Sequence, residues 1–321
     1  MLEIIRKTNM DFIGKKYITF LVSGAFIILG IIAIVQILTG RANIGIDFAG
    51  GTALQIRFEN SVSLEKVRAA LESGGIKDVD LQDMGKDINF RNIGANINLE
   101  EVSTENKVLI RTKNSDGDLN EIADRITDAL TRYLPGNKYI VDSTTAIGPK
   151  VGSRLRNDAA KAIFMAALGI LVYVAFRFKF QFGVGATIAT FHDVLAVLAI
   201  FNIMGKEINL IVVSALLTIA GYSLTDTVVV YDRIRENLKT AFKAPIKDVI
   251  NRSINEVLSR TIITSVTTFM AAAALFFLGG EVIHDFAFAI MMGIIVGTYS
   301  SIFVASPILL LWKKDGPVTN K

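Results

Sequence analysis

The sequence predicts a polytopic α-helical membrane protein with six transmembrane helices and one external α+β domain. Of its 321 residues, 51% are hydrophobic and only 20% are charged, a balance that soluble proteins of this size rarely have. The hydrophobic residues also gather in six long runs, and a bilayer-spanning helix needs roughly 20 such residues. The six predicted spans cover residues 18–38, 160–178, 183–204, 208–230, 261–280 and 286–312.

Composition excludes several classes of site. The chain contains no Cys and only two His, so disulfides and thiolate metal sites are excluded and a His-rich metal site is not expected. No G-x-x-x-x-G-K-[ST] sequence occurs, so the chain is not expected to bind ATP through a P-loop. We therefore predict no metal, no organic cofactor and no enzymatic activity.

Lysine and arginine residues cluster at the two termini and in one set of short loops. In the short loops of the opposite set, Lys206 alone is basic. Cytoplasmic loops carry the excess of positive charge, so both termini are predicted to be cytoplasmic. The pI near 9.1 then reflects topology, and no nucleic-acid partner is predicted. The clustered basic residues are Arg6, Lys7, Lys15, Lys16, Arg177, Lys179, Arg233, Arg235, Lys239, Lys243, Lys247, Arg252, Lys313 and Lys314.

The spans divide the chain into four predicted parts. Residues 1–40 form the cytoplasmic N-terminus and the first span, and residues 41–157 form the external domain. Residues 158–312 form a five-helix transmembrane region, which includes a cytoplasmic amphipathic segment at 233–259. Residues 313–321 form a cytoplasmic tail.

The external domain alternates strand and helix patterns. Strands are predicted where apolar and polar residues alternate, and helices where apolar residues recur every three or four positions. The resulting order, β-α-β-β-α-β, is typical of a ferredoxin-like sandwich. No nucleophile–base pair or phosphate loop occurs in it, so we expect a binding or coupling domain. Its strands are predicted at 52–58, 79–84, 107–112 and 138–147 and its helices at 61–75 and from Gly117 onward, with 85–106 as an insertion of undetermined form.

The stretch GIDFAGGT at residues 45–52 connects the first span to the external domain. Gly45, Gly50 and Gly51 permit backbone angles that other residues avoid, and Asp47 can hydrogen-bond such a turn. We expect a tight turn or close packing here, and we assign these four residues as the hinge of the external domain.

Three charged residues fall inside predicted spans. Asp226 lies in the fourth span, Asp193 lies beside His192 in the third, and Arg260 opens the fifth. A charge at the centre of a membrane helix costs about 2.5–3.5 kcal/mol, so such residues are usually paired and functional. Asp226 and Arg260 have opposite charges and similar predicted depths, so we expect a pair between them, direct or through water.

Asp226 and Asp193 are candidate proton carriers. Burial and a nearby Arg change the proton affinity of a carboxylate in opposite directions. A carboxylate whose surroundings alternate between the two can bind a proton on one side of the membrane and release it on the other. Two alternatives stay open: Asp226 and Arg260 could form a static salt bridge, and His192 could simply satisfy Asp193.

Polar residues recur every four positions on two of the spans. Such stripes are expected to face protein rather than lipid, close to the proton pathway. They are Ser214, Thr218 and Tyr222 before Asp226 on the fourth span, and Thr264 and Thr268 after Arg260 on the fifth.

Two further patterns predict packing. Gly293 and Gly297 begin a face of small residues in the sixth span, which permits close contact with another helix. Apolar residues between Ile246 and Leu258 share one helical face. We therefore expect this part of the amphipathic segment to lie on the cytoplasmic membrane interface.

Six segments carry a resemblance to a known family. They are GIDFAGG (45–51), IGPKVGSRLR (147–156), FHDVL (191–195), GYSLTDTVVVYDRIREN (221–237), SRTIITS (259–265) and MMGIIVGTYSSIFVASP (291–307). Together they resemble the SecF branch of the SecD/SecF family of protein-export membrane subunits, within the resistance-nodulation-division superfamily. The resemblance covers nearly the whole chain.

The resemblance implies a role in protein export. Members of this family pair with SecD in a twelve-span complex, associate with the SecYEG channel and use the proton motive force to complete translocation of preproteins after SecA has acted. The implied partners are SecD, SecYEG, a SecA-dependent preprotein and YajC, in a bacterial or archaeal cell (inner) membrane. The resemblance also implies that Asp226 and Arg260 belong to the proton pathway, with H⁺ or Na⁺ as the coupling ion.

Two other functions stay open at this point. One is a non-conducting scaffold that stabilises the channel complex. The other is a small-molecule exporter of the same superfamily. A single small external domain leaves little room for the substrate-binding region of such exporters, which counts against the second.

Overall fold

The structure, a computed structural model, describes residues 8–77, 79–84, 106–112, 119–178, 180–241 and 244–312. The chain divides into two compact units: an α/β unit, Ile44–Ala159 with Leu278–Val282, and a membrane unit that comprises the other residues. Some predictions lie outside the described residues. They concern residues 85–105, the helix start at Gly117, the tail at 313–321, and Arg6, Lys7, Lys179, Lys243, Lys313 and Lys314.

The described elements follow one another in a simple order. They are a 3₁₀ turn (Ile13–Lys15), α1 (Lys16–Leu38), α2 (Ile46–Ala49), β1 (Gly51–Phe58), α3 (Leu64–Ser73), β2 (Val79–Asp83), β3 (Asn106–Thr112), α4 (Leu119–Tyr133), β4 (Tyr139–Ile147), α5 (Pro149–Arg177), α6 (Phe180–Ile203), α7 (Leu210–Thr240), α8 (Ile246–Leu278), α9 (Glu281–Ser300), a π-helical segment (Ser301–Ala305) and α10 (Ser306–Trp312).

The α/β unit is built on one antiparallel sheet with the strand order β2-β3-β1-β4. Among the described residues, the elements from β1 to β4 follow the predicted order β-α-β-β-α-β. The assignment to the ferredoxin-like class stays a prediction. Alternate residues of a strand point to one face, and Leu54 and Ile56 of β1 form a buried core with Leu71 of α3 and with Ile126 and Leu130 of α4.

The stretch assigned as the hinge contains one turn of helix, α2, which begins after Gly45. Gly50 and Gly51 have φ values of 79° and 139°, a region that residues with a Cβ rarely adopt. A Cβ on Gly50 would lie 3.0 Å from the Cα of Pro149, at the start of α5. Close backbone packing therefore accounts for the glycines, and a hinge motion stays a prediction.

The membrane helices agree with the six predicted spans. Within the described residues, six helical stretches are long and apolar enough to cross a bilayer. They are Ile13–Leu38, Pro149–Arg177, Phe180–Ile203, Leu210–Thr240, Ile246–Leu278 and Ile283–Leu311.

The amphipathic segment differs from its prediction. Instead of a separate helix on the membrane interface, residues from Ile246 onward form the first part of α8, a single 33-residue helix that continues into the fifth span. The apolar face, which includes Ile250 and Ile254, is buried in one hydrophobic cluster with Tyr231 and Ile234 of α7. The apolar face therefore packs against α7, which extends to Thr240, and the location of this segment at the cytoplasmic membrane interface stays a prediction.

The segment before the first span is attached to the same part of α8. The side-chain amide of Asn255 contacts both the N–H and the C=O of Met10 at 2.9 Å. The Asn251 side chain accepts a hydrogen bond from the Phe12 N–H at 2.8 Å and donates one to the Met10 carbonyl at 2.9 Å. Two asparagines on one helical face therefore hold an extended backbone by its own polar groups.

Glycines set the closest helix contacts in the membrane unit. A Cβ on Gly293 of α9 would lie 2.4 Å from the Ile219 side chain of α7, and one on Gly297 would lie 3.1 Å from Ser223 Cβ. The small-residue face of α9 therefore packs on α7. A Cβ on Gly30 of α1 would lie 2.5 Å from the backbone oxygen of Leu195 in α6.

The α1–α6 contact yields a stability prediction. Gly30→Ala places a methyl group against backbone that cannot rotate away, and we expect a cost of about 1–3 kcal/mol. The matched control is Gly24→Ala in the same helix, because no atom lies within 4 Å of the added methyl group. The measurement is thermal unfolding of the purified variants in detergent. Equal midpoints for the two variants would contradict the close α1–α6 contact.

Candidate functional site

Two carboxylates are buried in the membrane helices. Asp193 of α6 is fully buried and Asp226 of α7 is 6% exposed. A carboxylate removed from water must be hydrogen-bonded, paired or protonated. The two carboxylates differ in how closely their oxygens are hydrogen-bonded.

Asp193 is held by side chains from three helices. Its Oδ2 accepts hydrogen bonds from Ser223 Oγ of α7 and from Ser300 Oγ of α9, the latter at 2.8 Å. Its Oδ1 lies 2.9 Å from Nδ1 of the adjacent His192, whose Nε2 is buried without a hydrogen-bond partner. Both carboxylate oxygens therefore have polar partners, and the alternative reading of His192 as the partner of Asp193 agrees with this geometry.

Asp226 has much weaker contacts. Ser265 Oγ of α8 lies 3.4 Å from Asp226 Oδ2, beyond the usual range for an O–H···O bond. Thr298 Oγ1 of α9 in turn donates to Ser265 Oγ at 2.7 Å. Asp226 thus has one loose contact, with a hydroxyl of α8, and a hydroxyl of α9 lies behind that one.

The expected direct pair between Asp226 and Arg260 is not observed. Arg260 is exposed on α8, and the ion pairs of the described residues do not join it to Asp226. A helix turns about 100° per residue, so Arg260, five residues before Ser265, lies about 140° from it around α8. A pair through water or in a complex with a partner stays a prediction.

For the two polar stripes as well, the face of the helix decides which residues are exposed. Ser214, Thr218 and Thr264 are exposed, and their hydroxyl groups donate to carbonyls one turn earlier in their own helices. These residues therefore do not face the interior of this chain, and the expectation that they face protein rather than lipid stays a prediction. A repeat of four drifts by about 40° per step, so Ser214 lies about 120° from Asp226 around α7. Tyr222 is half-buried, with a hydroxyl oxygen that is buried without a partner.

Thr268, the last residue of the predicted stripe on the fifth span, is half-buried. Its hydroxyl donates to the carbonyl of Thr264 at 2.9 Å. It therefore makes the same local contact as the exposed members of the stripes.

A π-helical segment begins one residue after Ser300. A widened turn disrupts the regular hydrogen bonds of a helix and frequently marks functional sites. Here, side-chain hydroxyls bond two of its carbonyls: Ser306 Oγ donates to Ser301 O at 2.9 Å, and Tyr231 Oη of α7 donates to Ala305 O at 2.9 Å. The widened turn is thus supported by neighbouring side chains.

The polar residues that contact the carboxylates were not identified from the sequence. Ser223, Ser265, Thr298 and Ser300 lie in motifs that carry the family resemblance, but none belongs to a stripe with a period of four. The spacing on α7 does indicate one of these residues, because Ser223 and Asp226 are three residues apart and share a helical face. No comparable signal identifies the serine and threonine on α9.

The described residues contain no group of three or more His, Asp or Glu side chains that could hold a metal ion. The buried polar side chains of the membrane unit include carboxylates, hydroxyls and the imidazole of His192, which can exchange or orient protons.

Comparisons with known proteins identify relatives of this chain. The family described as "Protein export membrane protein SecD/SecF, C-terminal" matches residues 125–315. Protein translocase subunit SecF of Thermodesulfovibrio yellowstonii is 56% identical over 317 residues, which cover 98% of each chain. The SecF subunit of Calditerrivibrio nitroreducens is 44% identical over 316 residues, 97% of each chain.

Among solved structures, SecDF of Thermus thermophilus, a translocon-associated membrane protein, matches with a TM-score of 0.77 and 36% identity. The match covers 98% of this chain but 39% of the SecDF chain, so the present chain spans well under half the length of that protein. The family match, the identities and the six-helix architecture agree, and the chain belongs to the SecD/SecF family of protein-export membrane proteins.

Proposed function

We propose that this chain is a subunit of the Sec protein-export machinery that, together with SecD, couples the proton motive force to a late stage of preprotein translocation. The observation that carries the proposal is Asp226, an intramembrane carboxylate whose nearest donor, Ser265 Oγ, is 3.4 Å away. A residue that binds and releases a proton in each cycle has to change its hydrogen bonds easily, and this contact is easily broken.

Asp193 is better suited to a structural role. Two hydroxyl groups and one imidazole surround its carboxylate, and every partner comes from a buried side chain. Both carboxylate oxygens are hydrogen-bonded to neighbouring helices or to His192, and such a buried network rigidifies its surroundings. We therefore propose Asp226 as the proton carrier, with Asp193 joining α6, α7 and α9. A second proton site at Asp193 is the alternative.

The exposed polar face of α7 and α8 supports a partner in the membrane. Arg260 is exposed within a span, and an arginine facing lipid costs about 2.5–3.5 kcal/mol. Ser214, Thr218 and Thr264 are exposed on the same two helices. We propose that this face meets SecD and that Arg260 reaches the proton pathway in that complex, rather than through direct contact with Asp226.

The remaining assignments follow from the family. We propose SecYEG, a SecA-dependent preprotein and YajC as further partners, and a bacterial or archaeal cell membrane with both termini in the cytoplasm. The scaffold function is the competing reading, and the hydrogen bonds that join three helices at Asp193 are the feature that favours it.

Asp226→Asn tests the proton-carrier role. The change keeps the size of the side chain but removes its ability to exchange a proton, so we expect a proton gradient to give no acceleration of translocation. The measurement is completion of preprotein translocation in proteoliposomes that contain the chain with SecD and SecYEG. The matched control, Asp248→Asn, replaces an exposed carboxylate of α8 and should respond to the gradient as the unmodified protein does.

The same vesicles distinguish the alternatives. Full stimulation of Asp226→Asn by the gradient would refute the carrier assignment. Absence of stimulation even for the unmodified protein would favour the scaffold. Stimulation by a sodium gradient at constant pH would identify Na⁺ as the coupling ion.

Orientation has an independent test, because the chain has no native cysteine. A single cysteine at Glu72, exposed on α3, should react with a membrane-impermeant maleimide added to spheroplasts. One at Asp248, exposed on α8, should react only after the membrane is opened. The reverse pattern would place the α/β unit in the cytoplasm and contradict the proposed topology.

A further inference from the structure

Ser265 and Thr298 form a pair of hydroxyl groups that leads from Asp226 to the backbone of α9. Ser265 Oγ lies 3.4 Å from Asp226 Oδ2, and Thr298 Oγ1 lies 2.7 Å from Ser265 Oγ. Thr298 Oγ1 also lies 2.7 Å from the carbonyl oxygen of Ile294, one turn earlier in its own helix. The four groups form a row of hydrogen-bonding atoms whose longest contact is the one at Asp226.

When Asp226 is ionised, the hydroxyls of the row can supply its hydrogen bond and find acceptors for their own hydrogens. A carboxylate only accepts hydrogen bonds, whereas each hydroxyl donates one and accepts up to two. Ser265 then donates to Asp226, and Thr298 donates to Ser265. Both hydroxyl hydrogens are used.

The row also satisfies a protonated Asp226, with every hydrogen bond reversed. The carboxylic acid donates to Ser265 Oγ, Ser265 donates to Thr298 Oγ1, and Thr298 donates to the Ile294 carbonyl, which has a second lone pair free for it. No O–H bond of the hydroxyls breaks. Each hydroxyl only rotates, so neither charge state leaves a buried donor unpaired.

We infer that Ser265 and Thr298 are positioning residues for Asp226, which form a reversible hydroxyl pair that accommodates both of its protonation states. The inference rests on the proposed function of Asp226 as a proton carrier. The reversal takes place at the contact between α8 and α9, because Ser265 and Thr298 lie on these two helices. The direction of the hydrogen bond between them changes each time Asp226 gains or loses a proton.

Other ionisable groups lie on the neighbouring elements without joining this row. They are Tyr222 on α7, His192 and Asp193 on α6, Arg260 on α8, and Tyr299 on α9. In the described part of the chain, the hydrogen bonds of Asp193 and Tyr299 go to other partners. The pH response assigned to the row is therefore that of Asp226.

Two substitutions of Thr298 distinguish the effect of its hydroxyl from the effect of its shape. Valine matches the shape of threonine but cannot donate or accept, so Ser265 loses its partner when Asp226 is protonated. An unmet buried hydrogen bond is expected to reduce gradient-driven translocation about tenfold in Thr298→Val. Thr298→Ser keeps the hydroxyl and should retain activity. Thr190→Val is the control, because the buried Thr190 donates to its own helix alone.

Infrared spectroscopy provides a readout that packing alone would not change. The carbonyl stretch of protonated Asp226, assigned by its loss in Asp226→Asn, should shift in Thr298→Val and return to its original frequency in Thr298→Ser. Should Thr298→Val fail to assemble with SecD, Ser265→Ala interrupts the same row and Ser265→Thr restores it.

The outcomes separate the two claims. Loss of gradient response in Asp226→Asn, together with an unaltered response and an unshifted band in Thr298→Val, overturns the hydroxyl pair but leaves the proton carrier in place. A normal response of Asp226→Asn to the proton gradient overturns both the proton carrier and the hydroxyl pair. Equal losses in Thr298→Val and Thr298→Ser mean that packing, not the hydroxyl, matters, and also overturn the inference.

Discussion

The hydrogen bonds of Asp193 fix the arrangement on which the rest of the membrane unit depends. One carboxylate oxygen receives hydroxyls from α7 and α9, so three helices meet at a single buried charge. Losing any one donor would leave part of that charge unsatisfied in an apolar interior, which is costly. The register of α7 against α9 is therefore fixed, and this register also places Asp226 beside the hydroxyls of α8 and α9.

Close packing and polar contact reinforce one another along α9. Gly293 and Gly297 bring the helix onto α7 without intervening side chains, which is what allows short hydroxyls to reach across. Immediately after Ser300 the helix widens into its π segment, supported by Tyr231 and Ser306. One helix thus carries a tight contact, a partner for Asp193, a partner for Ser265 and a locally irregular backbone within about four turns.

Much of the fold could be predicted because burial in a membrane leaves a strong pattern. Six apolar runs and the β-α-β-β-α-β order follow from periodicity alone. The site was harder, because a repeat of four residues drifts around a helix while packing follows alternating steps of three and four. Asp193 and Asp226 were recognised as buried charges, but the pairing with Arg260 depended on which face α8 presents. A charge and a depth do not determine that face.

The continuity of α8 gives the membrane unit a lever. At 1.5 Å per residue, its 33 residues make a rod about 50 Å long, with Ser265 about 29 Å from the end that begins at Ile246. A rod has no joint at which to absorb motion, so a tilt of about 5° at Ser265 displaces that end by about 2.5 Å. Near this end, Asn251 and Asn255 form hydrogen bonds with the backbone that precedes the first span. A tilt of α8 at Ser265 would therefore also move the N-terminal segment.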